Sequence, residues 1–346
     1  MNSTPAPVLE PAETVTDLSA RRGHSPAQRL QHLLHRRPAL SPLAVLIVSI
    51  VIFSLVNARF YSAVNLSLVA QQTAVVGSLA VGQTLIILTA GIDLSVGSIM
   101  VLASFLAANL IYTDHTSVPV ALLVAVLVAV AAQAINGLLV TRIKLPPFIV
   151  TLGTFNAFTA ITLIYAKGET ITLNPGSGLL WTGQSFLVGN FRVTYGVVLM
   201  AVLYIVVAYA LRCTAWGRHL YATGDDAEAA RLAGINTKRV LLSAYLVAGL
   251  VIAVSAWILA GRVGGADPNS GLNANLESIT AVVIGGTSLF GGRGSLLGSL
   301  LGALIVQVFD NGLALAGVDA NYQVLAVGIL VIAAVSVDQW IRKVRA

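Results

Sequence analysis

Apolar residues come along this chain in long blocks, parted by short clusters of Gly, Pro, Asn, Asp and basic residues. A helix needs about 20 apolar residues to cross a bilayer, and most of the blocks approach that length. They predict helices near 42–57, 66–89, 96–112, 118–141, 148–166, 194–212, 239–260, 276–290, 295–316 and 321–338. Two are short: 42–57 has room to extend at either end, and 276–290 ends in glycine. The pattern reads as an all-α polytopic membrane protein with about ten transmembrane helices over 42–338. Residues 1–41 are polar and carry Arg21, Arg22, Arg29, Arg36 and Arg37, without the apolar core of a signal peptide. They read as a flexible basic tail with a short amphipathic helix at 27–35. Residues 339–346 read as a second, shorter basic tail.

Composition narrows the class. With 57% hydrophobic and 10% charged residues and a mean hydropathy of +0.86, a soluble domain and a disordered chain are both excluded. The net charge of +6 follows topology and is no nucleic-acid signature. With the N-terminus inside, 16 of the 20 Lys and Arg fall in cytoplasmic segments, and Arg59, Lys167, Arg192 and Arg262 fall outside. A miscounted helix in the middle would scramble this partition, so the positive-inside rule supports ten spans with both termini cytoplasmic. Cys213 has no partner for an internal disulfide, and the five histidines lack metal-ligand spacing. No G-x-x-x-x-G-K-[ST] phosphate loop occurs, so the chain carries no P-loop of its own.

Candidate chemistry lies where the apolar blocks are interrupted. Ala90–Ser98 places Gly91, Asp93, Ser95 and Gly97 between two apolar runs. A carboxylate at the centre of a spanning helix costs roughly 2.5–3.5 kcal/mol. The glycines weaken the helix on either side, and Asp93 or Ser95 suits the N-cap of the next one. The stretch therefore predicts a helix break at the polar boundary, and a tight turn without contact to any cargo fits it as well. Gly285–Gly294 is a second glycine-rich interruption, with Gly285 and Gly286 at its start; close packing or gating each explain it.

Polar residues inside the spans are the remaining pathway candidates. Gln72 and Gln83 are eleven residues apart, three helical turns, and share a face. Gln133 and Asn136 pair at i, i+3, Asn156 lies in the fifth span, and Gln307, Asp310 and Asn311 share a face near the outside, where Glu277 starts a span. Amides suit sugar hydroxyls, which donate and accept; they suit inter-helix hydrogen bonds equally.

The long polar loop 212–239 contains Asp225, Asp226, Glu228, Ala229, Ala230, Arg231 and Gly234. Asp225 and Asp226 suit a helix N-terminus, the alanines propagate it, and Gly234 stops it. The expectation is a two-turn helix lying off the membrane between two spans.

Glu228-Ala229-Ala230, followed after three residues by Gly234, resembles the "EAA" loop of permease subunits of ABC importers. Thr89–Ser98, Lys144–Gly153 and Ala281–Gly294 are similar to three signatures of the monosaccharide branch of that family, the ribose/xylose/arabinose/fructose type. The resemblance runs from about 43 to 338. It implies a transport subunit that is not itself an enzyme and binds no cofactor. ATP and Mg belong to a partner ATPase, on which the 225–234 helix docks. An extracytoplasmic sugar-binding protein delivers cargo, a second permease copy completes the pathway in a homodimer, and the setting is the bacterial inner membrane. It also implies two inverted four-helix halves, near 66–166 and 239–338. A branched-chain amino acid or nucleoside cargo keeps the same architecture. An ion-coupled secondary carrier, needing no ATPase, would have Asp93 and Asp310 as its sites.

Overall fold

A computed structural model describes residues 40–271, 273–329 and 332. Both basic tails and the expected helix at 27–35 lie outside the described residues, apart from the last two residues of the first tail. The elements are α1 (Leu40–Val56), α2 (Ala63–Leu88), α3 (Val96–Thr113), α4 (Val118–Leu138, continued by a π-helical turn Leu139–Ile143) and α5 (Pro147–Ala166). After them come α6 (Tyr195–Cys213), α7 (Ala215–Asp225), α8 (Ala227–Leu232), α9 (Thr237–Val263), α10 (Ala274–Ile284) and α11 (Leu296–Leu315). Residues 320–329 are again helical.

Seven described helices are long and apolar enough to cross a membrane: α2, α3, α4 with its π-helical turn, α5, α6, α9 and α11. Of the other three expected spans, α1 and α10 are apolar but short, and the last lies partly outside the described residues. The sharpest correction is at 276–290. Its helix ends at Ile284 because Gly285 packs directly on the backbone of Gly298 and Gly286 turns to φ +84. That leaves an 11-residue helix, about 16 Å long at 1.5 Å per residue.

Small residues let the long helices approach. Gly82 lies on Ala248 of α9, Gly249 on the Ala129–Val130 backbone of α4, and Gly302 on the Ala281 carbonyl of α10. The core runs between α2, α3, α4, α6 and α9, with a smaller cluster joining α2 to α10 and α11. One end of this bundle carries α7, α8 and the 285–295 turn. The opposite end carries a hairpin of β2 (Ser185–Val188) and β3 (Phe191–Thr194), and a two-residue pairing of β1 (Ile171–Thr172) with β4 (Gly265–Ala266). The hairpin turns at Gly189, φ +61, which suits the first central position of a two-residue turn.

Candidate functional site

Two of the long helices are followed by non-helical stretches, α2 by 89–95 and α9 by 264–273. In the first, α2 closes with the paired capping bonds Ala90 N–H to Ile87 O (2.9 Å) and Gly91 N–H to Ile86 O (3.1 Å). The left-handed residue there is Ala90, φ 61. Gly91 follows it in a position where a side chain would press on Ile86.

The chain then turns inward and buries Asp93 completely. Its Oδ1 accepts from Ser95 N–H (2.7 Å) and Ser95 Oγ (2.6 Å), and its Oδ2 from Gln133 Nε2 (2.7 Å). Asn136 Nδ2 donates to Ser95 Oγ at 2.8 Å. Gln133 and Asn136 stand 10 and 7 residues before Ile143, about 15 and 10 Å from that end of the helix. The carboxylate is thus drawn well into the bundle and satisfied by α4. Thr151 Oγ1 fixes the same stretch from α5 by donating to the Ile92 carbonyl (3.0 Å). Asp93 does not cap α3 in the usual way: the N-cap residue is Ser95, whose side chain caps nothing.

The first turn of α3 is capped from elsewhere. Gly97 N–H donates to Asn275 Oδ1, at the start of α10, so the two helices that follow the breaks meet N-terminus to N-terminus. A side chain at 97 would collide with that amide, which is why the position needs glycine. Asn275 was not visible as a site residue in sequence, because its role exists only through a partner 178 positions away.

The other expected pathway residues scatter. Gln83 is fully buried and neither of its amide atoms has a hydrogen-bond partner, whereas Gln72 is half-buried. Neighbouring Thr84 pairs with Ser299 of α11 at 2.7 Å. Glu277, expected at a helix start, sits in the first turn of α10, half-buried, and accepts from Gln307 Nε2 (3.2 Å). Asp310 and Arg262 share its electrostatic environment.

The loop 212–239 holds two helices rather than one. α7 was hidden in a polar stretch; its signal is Thr214, capping Gly217 N–H, followed by Trp216, Leu220 and Tyr221. Leu220 is fully buried, and Trp216 Nε1 donates to Ser243 Oγ of α9 (2.8 Å). Asp225 is the last residue of α7, so the acidic pair divides, and Asp226 alone caps α8 by accepting from Glu228 and Ala229 N–H, both 2.9 Å. At the other end Gly234, φ +88, allows the paired bonds Gly234 N–H to Arg231 O and Ile235 N–H to Ala230 O, both 3.0 Å. Glu228 and Arg231 pair on the exposed face, and this holds the Glu228 carboxyl below its ordinary range. Ala230 faces inward, while Ala227, Ala229 and Leu232 stand in the open.

Three backbone segments meet beneath α8. Gly292 N–H donates to the Leu88 carbonyl (3.0 Å), Gly224 packs on the same carbonyl, and Gly291 abuts Gly224 O and Ala90. Tyr221 Oη donates to Gly294 O (3.0 Å). No side chain fits at 224, 291 or 292 without displacing backbone. The α7–α8 corner is therefore joined to the end of α2, just before Asp93, and to the turn between α10 and α11.

Comparison with known proteins then bears on these features. The family model described as "Branched-chain amino acid transport system / permease component" matches residues 65–335. The fructose import permease protein FrcC of Rhizobium meliloti is 49% identical over 344 residues, covering 97% of this chain and 95% of the relative. The ribose import permease protein RbsC of Bacillus subtilis is 38% identical over 301 residues, covering 87% and 92%. The xylose transport system permease protein XylH of Escherichia coli K12 is 32% identical over 339 residues, covering 82% and 86%. No solved structure matches the chain. Seven apolar helices and permease relatives of full length make this a multi-pass membrane protein. By a family match over most of its length, the chain belongs to the permease components of the branched-chain amino acid transport system type.

Proposed function

We propose that this chain is the membrane-spanning subunit of an ATP-driven importer of a monosaccharide, fructose or a ribose-like sugar, and that it performs no covalent chemistry. The observation that carries the coupling part is α8: a short helix, capped at both ends, at one end of the bundle, with Ala227, Glu228, Ala229, Arg231 and Leu232 open. The alanines suit a close fit into a groove of a partner ATPase, which holds the ATP and Mg, and the Glu228–Arg231 pair supplies oriented polar contacts. Closure of the ATPases would displace α8. The glycine junction beneath it passes that displacement both to the end of α2, where the first break begins, and to the α10–α11 turn. For cargo, the support is the fructose import permease that matches along nearly the whole chain.

The same proposal includes ten spans with both termini in the cytoplasm of the inner membrane, α8 inward and the β2–β3 hairpin outward. Inverted halves are supported by the order of elements: α2, break, α3, α4 and α9, break, α10, α11, with α3 and α10 abutting at their N-termini. A second copy would complete the pathway, with Gln72, Gln83, Gly91, Asp93, Ser95, Gly97, Gly285, Gly286 and Asp310 along or near it, and an extracytoplasmic binding protein would deliver sugar.

The test is purification of the tagged chain in mild detergent with mass spectrometry of what accompanies it, then reconstitution with labelled fructose and ribose. A stoichiometric P-loop ATPase, lost when Glu228 and Gly234 are replaced, and ATP-dependent fructose uptake are expected. A chain that purifies alone and moves sugar without ATP would overturn the proposal.

A further inference from the structure

The β2–β3 hairpin has one face made entirely of apolar side chains. In its register Phe186 lies opposite Val193 and Val188 opposite Phe191, and alternate strand residues share a face, so these four form one patch. Phe186, Val188 and Phe191 remain 37%, 55% and 45% exposed. The protein covers this patch only in part: Val193 is half-buried and Phe186 meets Tyr195, while Arg192 N–H, at the strand edge, donates to Ser67 Oγ of α2 (3.0 Å). An open two-stranded sheet with aromatic residues on its free face is unsuited to water, and something apolar must lie against it.

What lies there follows from what the patch joins. The Phe186 ring meets the Tyr195 ring at 5.5 Å, and Tyr195 stacks on Trp181 at 4.5 Å. Tyr195 opens α6, and from it Val198, Val202, Ile205 and Tyr209 follow at helical spacing down one side. These last four are all exposed, Tyr209 by 67%. On a helix that crosses the membrane, such a stripe faces acyl chains. It has aromatic residues at both ends, Tyr195 and Tyr209, about 21 Å apart at 1.5 Å per residue. Aromatic side chains clustered at one end of a lipid-facing stripe mark an interface. Trp181, Phe186 and Phe191 enlarge the mark at one end only, and the exposed Arg192, on the opposite hairpin face, has a guanidinium suited to lipid phosphate.

We infer that the β2–β3 hairpin is an interfacial anchor: its Phe186/Val188/Phe191/Val193 face lies in the headgroup–acyl boundary, continuous with the lipid-facing stripe of α6. In the orientation proposed above this is the outer leaflet. The anchor holds the hairpin end of α6 at a set depth, so that α7 and α8, which follow α6 directly, stand at a set height at the other side.

The chain's lone cysteine makes the test direct. In full-length protein with Cys213→Ser and Val188→Cys, a nitroxide label at 188 is measured in phosphatidylcholine/phosphatidylglycerol liposomes. The expected result is accessibility to oxygen well above that to a water-soluble nickel chelate, at a depth near the headgroup boundary. A label at Asn190, in the turn, would give the reverse ratio. Ready access of the chelate to 188 overturns the inference in favour of a solvated hairpin. Exclusion of both reagents overturns it in favour of cover by protein, such as a second copy or the binding protein. Neither reading depends on whether sugar is transported.

Discussion

Asp93 shows how a carboxylate survives inside an apolar bundle. Three donors, the Ser95 amide and hydroxyl and the Gln133 amide, replace its water, and an acceptor-only group forces each of them to point inward. Removing it leaves those donors buried and unmet. Asp93→Ala is therefore expected to cost about 3 kcal/mol, read as a drop of several degrees in thermal unfolding in detergent. Asp93→Asn should cost about 1 kcal/mol, because Gln133 can turn its amide over to meet the new donor. At Gly97 the constraint is steric. Gly97→Ala drives a methyl into Asn275 and should destabilise by about 1–3 kcal/mol. Asn275→Ala loses only the capping bond, about 1 kcal/mol. The double variant should then be more stable than Gly97→Ala alone, a non-additive cycle that thermal unfolding of all four proteins checks.

At the scale of elements, α8 is too short to hold itself together and relies on its ends. Asp226→Ala removes an acceptor shared by two amides and should weaken the helix by about 1 kcal/mol. Reduced recovery of the partner ATPase in pull-downs, with the fold's melting unchanged, is the expected outcome. The Glu228–Arg231 pair supports the helix above the ordinary carboxylate range and fades as pH falls through the depressed Glu228 value. The junction beneath α8 makes a different prediction. Gly292→Ala presses on the Asp225 backbone while leaving the open face of α8 intact. ATPase capture should persist, and sugar moved per ATP hydrolysed should fall several-fold in reconstituted vesicles. Unchanged coupling would show that the junction only fills space.

For the whole molecule, orientation is the decisive quantity, and Cys213, exposed at the end of α6, reports it. A membrane-impermeant maleimide should label inverted vesicles and not intact spheroplasts, while Asn190→Cys in a Cys213→Ser background should label intact spheroplasts and not inverted vesicles. The opposite pattern would reverse every assignment of inside and outside made above, and with it the docking side of α8.

Apolar block length placed most of the helices to within a few residues, since the need to satisfy backbone groups internally in hydrocarbon is a local demand. The caps of α8 were equally local: Asp226 and Gly234 act on amides and carbonyls within a few residues of themselves. The hairpin falls between two predicted spans and was not itself predicted, although Gly189-Asn190 between β-forming runs carries its signal. Other features had no local signal at all. Asp93 was legible as a costly residue needing a partner, but Gln133 as that partner was not. The meeting of Gly97 with Asn275, and of Gly224 with Leu88 and Gly292, joins segments up to about 200 residues apart. What the amino-acid sequence determined alone was which stretches become helices and where they must break. Which breaks meet was decided by tertiary packing, because helices that cannot be told apart by hydrophobicity are sorted by close approach of small residues and by the few polar groups that must find one another.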